Sequence, residues 1–170
     1  MSISIYQSCM PSVINSLQNL HHILGKAEEF AASKKLADAT LPNFRLAVDM
    51  LPLSSQIQIA CDTVKGCGAR LAGVDMPKFE DNEKTLADLR LRIEKTLTFV
   101  KALKPEQFEG SEEKTIELKF PNSSFSFTGV NYVNHFVIPN FYFHMTTAYN
   151  ILRHCGVSLG KSDFLQGATK

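Results

Sequence analysis

The segment PNFYFHMTTAYNILRHCG, residues 139–156, is the most informative part of the chain for the fold. Apolar side chains recur in it at alternating intervals of three and four residues, which is the spacing of one face of an α-helix. The stripe extends back by one turn and consists of Val137, Phe141, His144, Ala148, Ile151 and Cys155. His144 is its one polar member. The pattern therefore predicts a helix that places an imidazole in an apolar face.

Four segments show this helical periodicity, near residues 4–30, 46–71, 81–103 and 130–155. Proline should disturb three of them. Pro11 predicts a late start or a kink in the first helix, Pro52 a start or a bend in the second, and Pro139 an irregularity in the fourth. Asp81 or Asn82 can cap the third helix. These helices predict a four-helix bundle.

The period changes to two between the third and fourth helices, which indicates a β-hairpin. Residues 114–120 alternate, residues 121–124 form a turn, and the alternation resumes up to residue 129. The expected fold is therefore all-α in the main, a four-helix bundle with a small hairpin inserted between helices 3 and 4. At 170 residues, we expect a single domain over residues 1–170.

Composition excludes several classes of protein. The chain carries 18 Lys and Arg against 17 Asp and Glu, so no charge excess draws it to nucleic acid. It has no uninterrupted apolar run of about 18 residues, as a membrane span requires. Its four cysteines lack CxxC spacing and lie in apolar segments, which favours reduced, buried thiols and a cytoplasmic location.

His144 is the first candidate site residue, and two further residues could lie near it. Asn140 precedes it by one helical turn, and Asp49 lies at the edge of the second helix's apolar stripe. Asp49 and His144 could form a buried hydrogen-bonded pair or be two ligands of a divalent metal such as zinc or nickel. His135 is a weaker third candidate, half a turn off the face of His144. The residues leave both interpretations open.

Several motifs resemble an uncharacterised domain-of-unknown-function family of the DinB/YfiT-like four-helix superfamily. They are Arg45-Leu46-Ala47-x-Asp49-Met50-x-Pro52, Arg70-Leu71-Ala72-Gly73, Pro139-Asn-Phe-Tyr-Phe-His144, Ala148-Tyr149-x-Ile151-Leu152-Arg153-x-x-Gly156-Val157 and Gly160-Lys161-x-Asp163-Phe164-Leu165. The resemblance implies a four-helix bundle with an unusual helix order and a homodimer. It also implies relatives that bind a divalent metal through three histidines, some of which transfer or isomerise small thiols. In that pattern His144 matches the second histidine of the last helix, Asn140 stands in place of the first, and Asp49 stands roughly where the second-helix histidine lies.

Two functions follow as hypotheses. One is a divergent metal-dependent enzyme that acts on a small thiol or electrophile. The other is a non-catalytic structural or small-ligand-binding dimer with a buried Asp–His pair. Whether the protein is an enzyme stays open at this point.

Overall fold

A computed structural model describes residues 3–120 and 122–167. The helices are α1 (Ile5–Lys34), α2 (Leu53–Ala72), α3 (Leu86–Ala102), α4 (Gly129–Tyr132), α5 (Ile138–His154) and α6 (Lys161–Gln166). A 3-10 turn spans Pro105–Phe108, a π-helical turn spans Val133–Val137, and strands β1 (Thr115–Phe120) and β2 (Ser123–Thr128) pair antiparallel. The predicted bundle with a hairpin between its third and fourth helices is confirmed.

Helices α1 and α2 lie diagonally opposite each other in the bundle. α2 packs against α3 on one side and α5 on the other, whereas α1 packs mainly on α3. The consecutive helices α1 and α2 make few contacts, so the order is not a simple up-and-down sequence of neighbours. The arrangement makes the seam between α2 and α5 an extended helix–helix contact.

The start of α1 is fixed by its cap rather than by proline. The Ser4 hydroxyl accepts a hydrogen bond from the Gln7 N–H, and the Gln7 side chain accepts one from the Ser4 N–H. This reciprocal cap satisfies two backbone donors, so the helix begins before Pro11 and continues through it. Pro11 has no N–H, so the carbonyl of Gln7 loses its intrahelical bond.

The second helix begins later than the apolar stripe indicated. It starts at Leu53, directly after Pro52, and residues 41–52 form turns and bends. Its first backbone donors are satisfied by that loop: the Leu53 N–H donates to the Phe44 carbonyl, and the Ser54 N–H donates to the Pro42 carbonyl. Of the two alternatives at Pro52, the start of the helix is therefore confirmed and the bend is wrong, and residues 46–52 of the apolar stripe lie in the loop.

The cap of the third helix also differs from the prediction. Thr85, not Asp81 or Asn82, occupies the N-cap, and it forms a reciprocal pair of hydrogen bonds with Asp88. Residues 81–84 lie in the preceding loop. A threonine followed three residues later by aspartate is an equally good local signal, and it lies closer to the first buried residue, Leu86.

The hairpin packs one face of β1 on the bundle. Ile116 and Leu118 are buried, whereas Phe120, expected on the same face, is 46% exposed. Pro121, the first residue of the predicted turn, lies outside the described residues. The chain re-enters the bundle at Gly129, where a Cβ would come within 1.8 Å of the Ser111 carbonyl oxygen, so only glycine fits there.

The fourth predicted helix is continuous but irregular. α4, the π-helical turn and α5 follow one another without a break, and the irregularity ends directly before Pro139, which lies in the first turn of α5. Proline cannot donate to the preceding turn, which accounts for a wider helical turn at this point. Gly156 ends the helix with a φ of +96°.

The chain returns to the bundle after α5. α6 packs on α1, and Asp163 bonds the α1 side chains Lys26 (3.1 Å) and His22 (3.3 Å). Within residues 3–120 and 122–167, no helix has both the length and the apolar character needed to cross a bilayer.

Candidate functional site

The seam between α2 and α5 contains a buried hydrogen bond between two polar side chains. His144 Nδ1 lies 2.7 Å from Oε1 of Gln56, and the two residues are 8% and 1% exposed. The Gln56 amide nitrogen donates to the carbonyl oxygen of Leu51 at 2.9 Å, which fixes the orientation of the amide. Its oxygen can only accept, so Nδ1 of His144 must carry the proton.

This tautomer leaves the other ring nitrogen of His144 with a free lone pair. Among the described residues, the buried side-chain nitrogens without a partner are the Nε atoms of Arg90 and Arg92. Nε2 of His144 also has no hydrogen-bond partner among these residues, but it is not one of the enclosed nitrogens. It is therefore in contact with solvent. Burial lowers the pKa of His144, which keeps the ring neutral at pH 7. The site therefore presents one oriented, neutral imidazole nitrogen.

A second polar contact joins the same two helices, one turn away from the first on α5 and two turns away on α2. The Asn140 amide nitrogen donates to Thr63 Oγ1 at 2.8 Å, and the Thr63 hydroxyl donates to the Ile59 carbonyl at 2.7 Å. Thr63 is buried and Asn140 is half-buried. The amide oxygen of Asn140 is left as an acceptor on the same face as His144.

Two partly exposed apolar residues lie next to the site. The ring of Phe143 meets the imidazole of His144 edge-on, with centroids 5.2 Å apart, and is 57% exposed. Leu51, whose carbonyl accepts the hydrogen bond from the Gln56 amide, is 48% exposed. The surface beside the imidazole is therefore partly apolar.

The expected pair between Asp49 and His144 does not form. Asp49 is exposed in the loop before α2, and Gln56 occupies the position facing the imidazole. The late start of α2 is the reason, because Asp49 never joins the helix that faces α5. His135 lies in the π-helical turn and is exposed, away from this polar seam.

The residues at the seam do not fit a zinc or nickel centre. The structure brings together one imidazole and the two amides of Gln56 and Asn140, and the Gln56 oxygen already accepts from His144. Zinc and nickel prefer several imidazole, thiolate or carboxylate ligands, whereas carboxamide oxygens are weak ligands for them. Across residues 3–120 and 122–167, no group of three or more His, Cys, Asp or Glu side chains is placed to hold a metal ion.

Two cavities, each of about 590 Å³, lie elsewhere. One runs between α1 and α3 and is lined by His21 and His22, which bond Glu94 (2.8 Å) and Asp163 (3.3 Å). Most of the charged side chains at this cavity form ion pairs with other side chains of the protein. Few of their polar atoms are therefore available to bind a ligand.

Comparison with known proteins identifies the family. Residues 5–165 match a family described as a domain of unknown function, DUF1993. The chain belongs to the DUF1993 family. The chain is also similar to a DinB family member protein from Shewanella denitrificans, known from a crystal structure, at 43% sequence identity and a TM-score of 0.86. The match covers 95% of this chain and 91% of that one. A comparison with curated proteins found no match.

Family membership confirms the resemblance drawn from the motifs and the DinB-like fold of this DUF1993 protein. It does not supply the site, because Gln56 and Thr63 lie outside the motifs that carried the resemblance. A periodic signal for both was present in the sequence: Leu53, Gln56, Ala60, Thr63 and Cys67 follow the alternating spacing of a second inward stripe on α2. A polar residue repeated after seven positions on such a stripe indicates a facing polar partner.

Proposed function

We propose that this DUF1993 protein binds a small, weakly acidic molecule at His144, and that it does so without a metal. The observation that carries the proposal is the chain of hydrogen bonds from His144 through Gln56 to the Leu51 carbonyl. It fixes the tautomer and leaves Nε2 as an acceptor open to solvent. This is the small-ligand-binding alternative, with Gln56 in the role that sequence analysis assigned to Asp49.

The geometry favours a ligand with one polarised hydrogen and an apolar part. A neutral imidazole nitrogen accepts a hydrogen bond or a proton from a weak acid such as a thiol. The exposed Phe143 ring and the Leu51 side chain supply apolar contact beside it. The Asn140 amide oxygen, one turn away, can accept a second hydrogen bond from the ligand.

The test is ¹⁵N NMR of the histidine rings in protein purified without a polyhistidine tag. At pH 7 we expect His144 to show a protonated Nδ1 and an unprotonated Nε2. Titration with N-acetylcysteine should shift the Nε2 resonance of His144 and leave that of the exposed His135 unchanged. A protonated Nε2, or equal shifts at both residues, would reject the proposal.

Zinc and nickel titrations separate this proposal from the metal-dependent enzyme. We expect neither ion to bind stoichiometrically in a way that depends on His144, because the donor set is too weak. Stoichiometric binding that disappears in His144→Ala would contradict us and favour the divergent metalloenzyme.

A homodimer is a second proposal, favoured by large apolar side chains that are left exposed. Val48, Leu51 and Phe143 are 96%, 48% and 57% exposed, and Phe143 and Leu51 lie beside the His144–Gln56 pair. Light scattering coupled to size exclusion should give the mass of a dimer for the parent and of a monomer for Val48→Asp. A parent that elutes as a monomer at all concentrations would reject the dimer and leave the ligand proposal intact.

A further inference from the structure

Two cysteine side chains meet in the core at one end of the bundle. Cys9 in the second turn of α1 and Cys67 in α2 have their sulfur atoms 3.8 Å apart, and both residues are 0% exposed. They lie 58 positions apart in the chain. The contact joins the two helices that are diagonal in the bundle, so it bridges the core.

The backbone is shaped to allow this approach. Gly68 follows Cys67, and a Cβ at that position would come within 2.7 Å of the Leu103 side chain and 3.6 Å of Met10 Cε, next to Cys9. The absence of a side chain lets α2 lie close to the end of α3 at this level, whereas the distance to Met10 of α1 is that of an ordinary van der Waals contact. A disulfide has sulfur atoms about 2.0 Å apart, so the pair must close by less than about 2 Å.

The two thiols differ in acidity because they share a hydrogen bond. The hydrogen bond with the Cys67 side chain lowers the pKa of Cys9. The same hydrogen bond, together with burial, raises the pKa of Cys67. Cys9 is therefore the sulfur that ionises first, and the thiolate is the reactive form.

An opening route exists at the N-terminal end of α1. Pro11 is exposed, and it deprives the helix of the bond to the Gln7 carbonyl just where Cys9 lies. The residues before Pro11 are thus attached to the remainder of α1 by one hydrogen bond fewer. Local opening of this end would bring Cys9 to solvent without unfolding the bundle.

We propose that Cys9 and Cys67 form an intramolecular disulfide when the protein meets a peroxide. The Cys9 thiolate attacks one peroxide oxygen, the O–O bond breaks, and the departing hydroxide takes up a proton to leave as water, which leaves a sulfenic acid on Cys9. The Cys67 sulfur then attacks the Cys9 sulfur, the S–O bond breaks, and the hydroxide takes the Cys67 proton to leave as a second water. Two thiols and one hydrogen peroxide give one disulfide and two waters.

The other two cysteines are the natural controls. Cys61 is buried without a facing thiol, and burial raises its pKa to about 12, whereas Cys155 is half-buried. Neither is paired with another described cysteine. A Cys61→Ala/Cys155→Ala variant should therefore oxidise as the parent does.

The decisive experiment treats the folded parent with hydrogen peroxide, alkylates the remaining thiols in denaturant, and measures intact mass and cross-linked peptides. We expect the loss of two hydrogens, a peptide pair joining Cys9 to Cys67, and a melting temperature that rises and returns to its starting value after reduction. The double control variant should give the same pair, and Cys9→Ala should give none.

Pro11→Ala tests the opening step in a protein whose core is unchanged. Restoring the bond to the Gln7 carbonyl should slow disulfide formation about fivefold. Sulfinic acid on Cys9, cross-linked dimers, or no reaction at a peroxide concentration that oxidises Cys155 would overturn the disulfide. An unchanged rate in Pro11→Ala would overturn the opening route.

Discussion

Replacing Gln56 by methionine tests the hydrogen-bond chain at the seam between α2 and α5. Methionine has nearly the volume of glutamine, so the substitution leaves no cavity and removes only the polar contacts. Two groups lose their partner: the carbonyl of Leu51 and Nδ1 of His144. The result measures how much the oriented imidazole depends on Gln56.

The expected loss of free energy of unfolding depends on how deeply the two groups left without a partner are buried. Leu51 is 48% exposed, so its carbonyl can bond water and costs little. His144 is 8% exposed, and a buried donor without a partner costs about 1–3 kcal/mol. We therefore expect Gln56→Met to lower the free energy of unfolding by about 2 kcal/mol, and the melting temperature by about 4–8 °C for a chain of this size.

Urea unfolding of a double-mutant cycle isolates the contact. His144→Leu combined with Gln56→Met replaces both polar groups, so its cost should fall short of the sum of the single costs by about 1–2 kcal/mol. Gln58→Met, on the same helix with one partly exposed bond to Glu83, is the matched control and should cost less than about 1 kcal/mol. If the free energy of unfolding of Gln56→Met lies within about 0.5 kcal/mol of that of the parent, which is the usual spread for neutral surface sites, the expected loss is refuted.

The same pair predicts a pH dependence. Since burial lowers the pKa of His144, the unfolded chain takes up a proton before the folded one does. The contribution of the neutral His144 ring to the free energy of unfolding is complete above a pH of about 6.5, and it declines as the pH falls below that value. His144→Leu should remove this part of the decline.

Three further predictions concern contacts that hold other parts of the fold together. Burial alone would raise the pKa of Asp163, but hydrogen bonds from α1 and the Gly160 N–H lower it to about 2. Asp163→Asn should therefore lower the free energy of unfolding by about 2 kcal/mol at pH 7. In thermal melts, the parent should lose that stability as the pH falls from about 4 towards 2. Gly129→Ala should cost more than about 3 kcal/mol or abolish soluble expression, because its Cβ meets a backbone oxygen. By contrast Gly110→Ala, which meets no atom within 4 Å but has a φ of +72°, should cost only about 1 kcal/mol in urea unfolding. Arg92→Met should cost about 3 kcal/mol, because its nearly buried guanidinium bonds three carboxylates. Arg90→Met, a third exposed with one carboxylate partner, should cost less than about 1 kcal/mol; equal losses in the two arginine variants would refute the argument from burial.

The helical faces and the inserted hairpin could be predicted from the sequence. Apolar side chains must leave water, and their spacing dictates which side of each helix they occupy, so the stripe that contains His144 was readable without coordinates. The same reasoning placed His144 in the core and required a partner for it. Local chemistry also marked the helix ends at Gly73 and Gly156, because glycine accepts the left-handed backbone found there.

The partner of His144, by contrast, depends on how the helices and the loop before α2 pack. The N–H groups at the start of α2 bond carbonyls of Pro42 and Phe44, a choice made by how the preceding loop folds back, and this removes Asp49 from the helix. Gln56 then faces the imidazole because α2 and α5 pack at one particular offset along their axes. Periodicity specifies the face of a helix but not the level at which two helices meet, and it therefore could not choose between Asp49 and Gln56. The contact of Cys9 with Cys67 has the same origin, since it depends on a diagonal packing that no local pattern encodes.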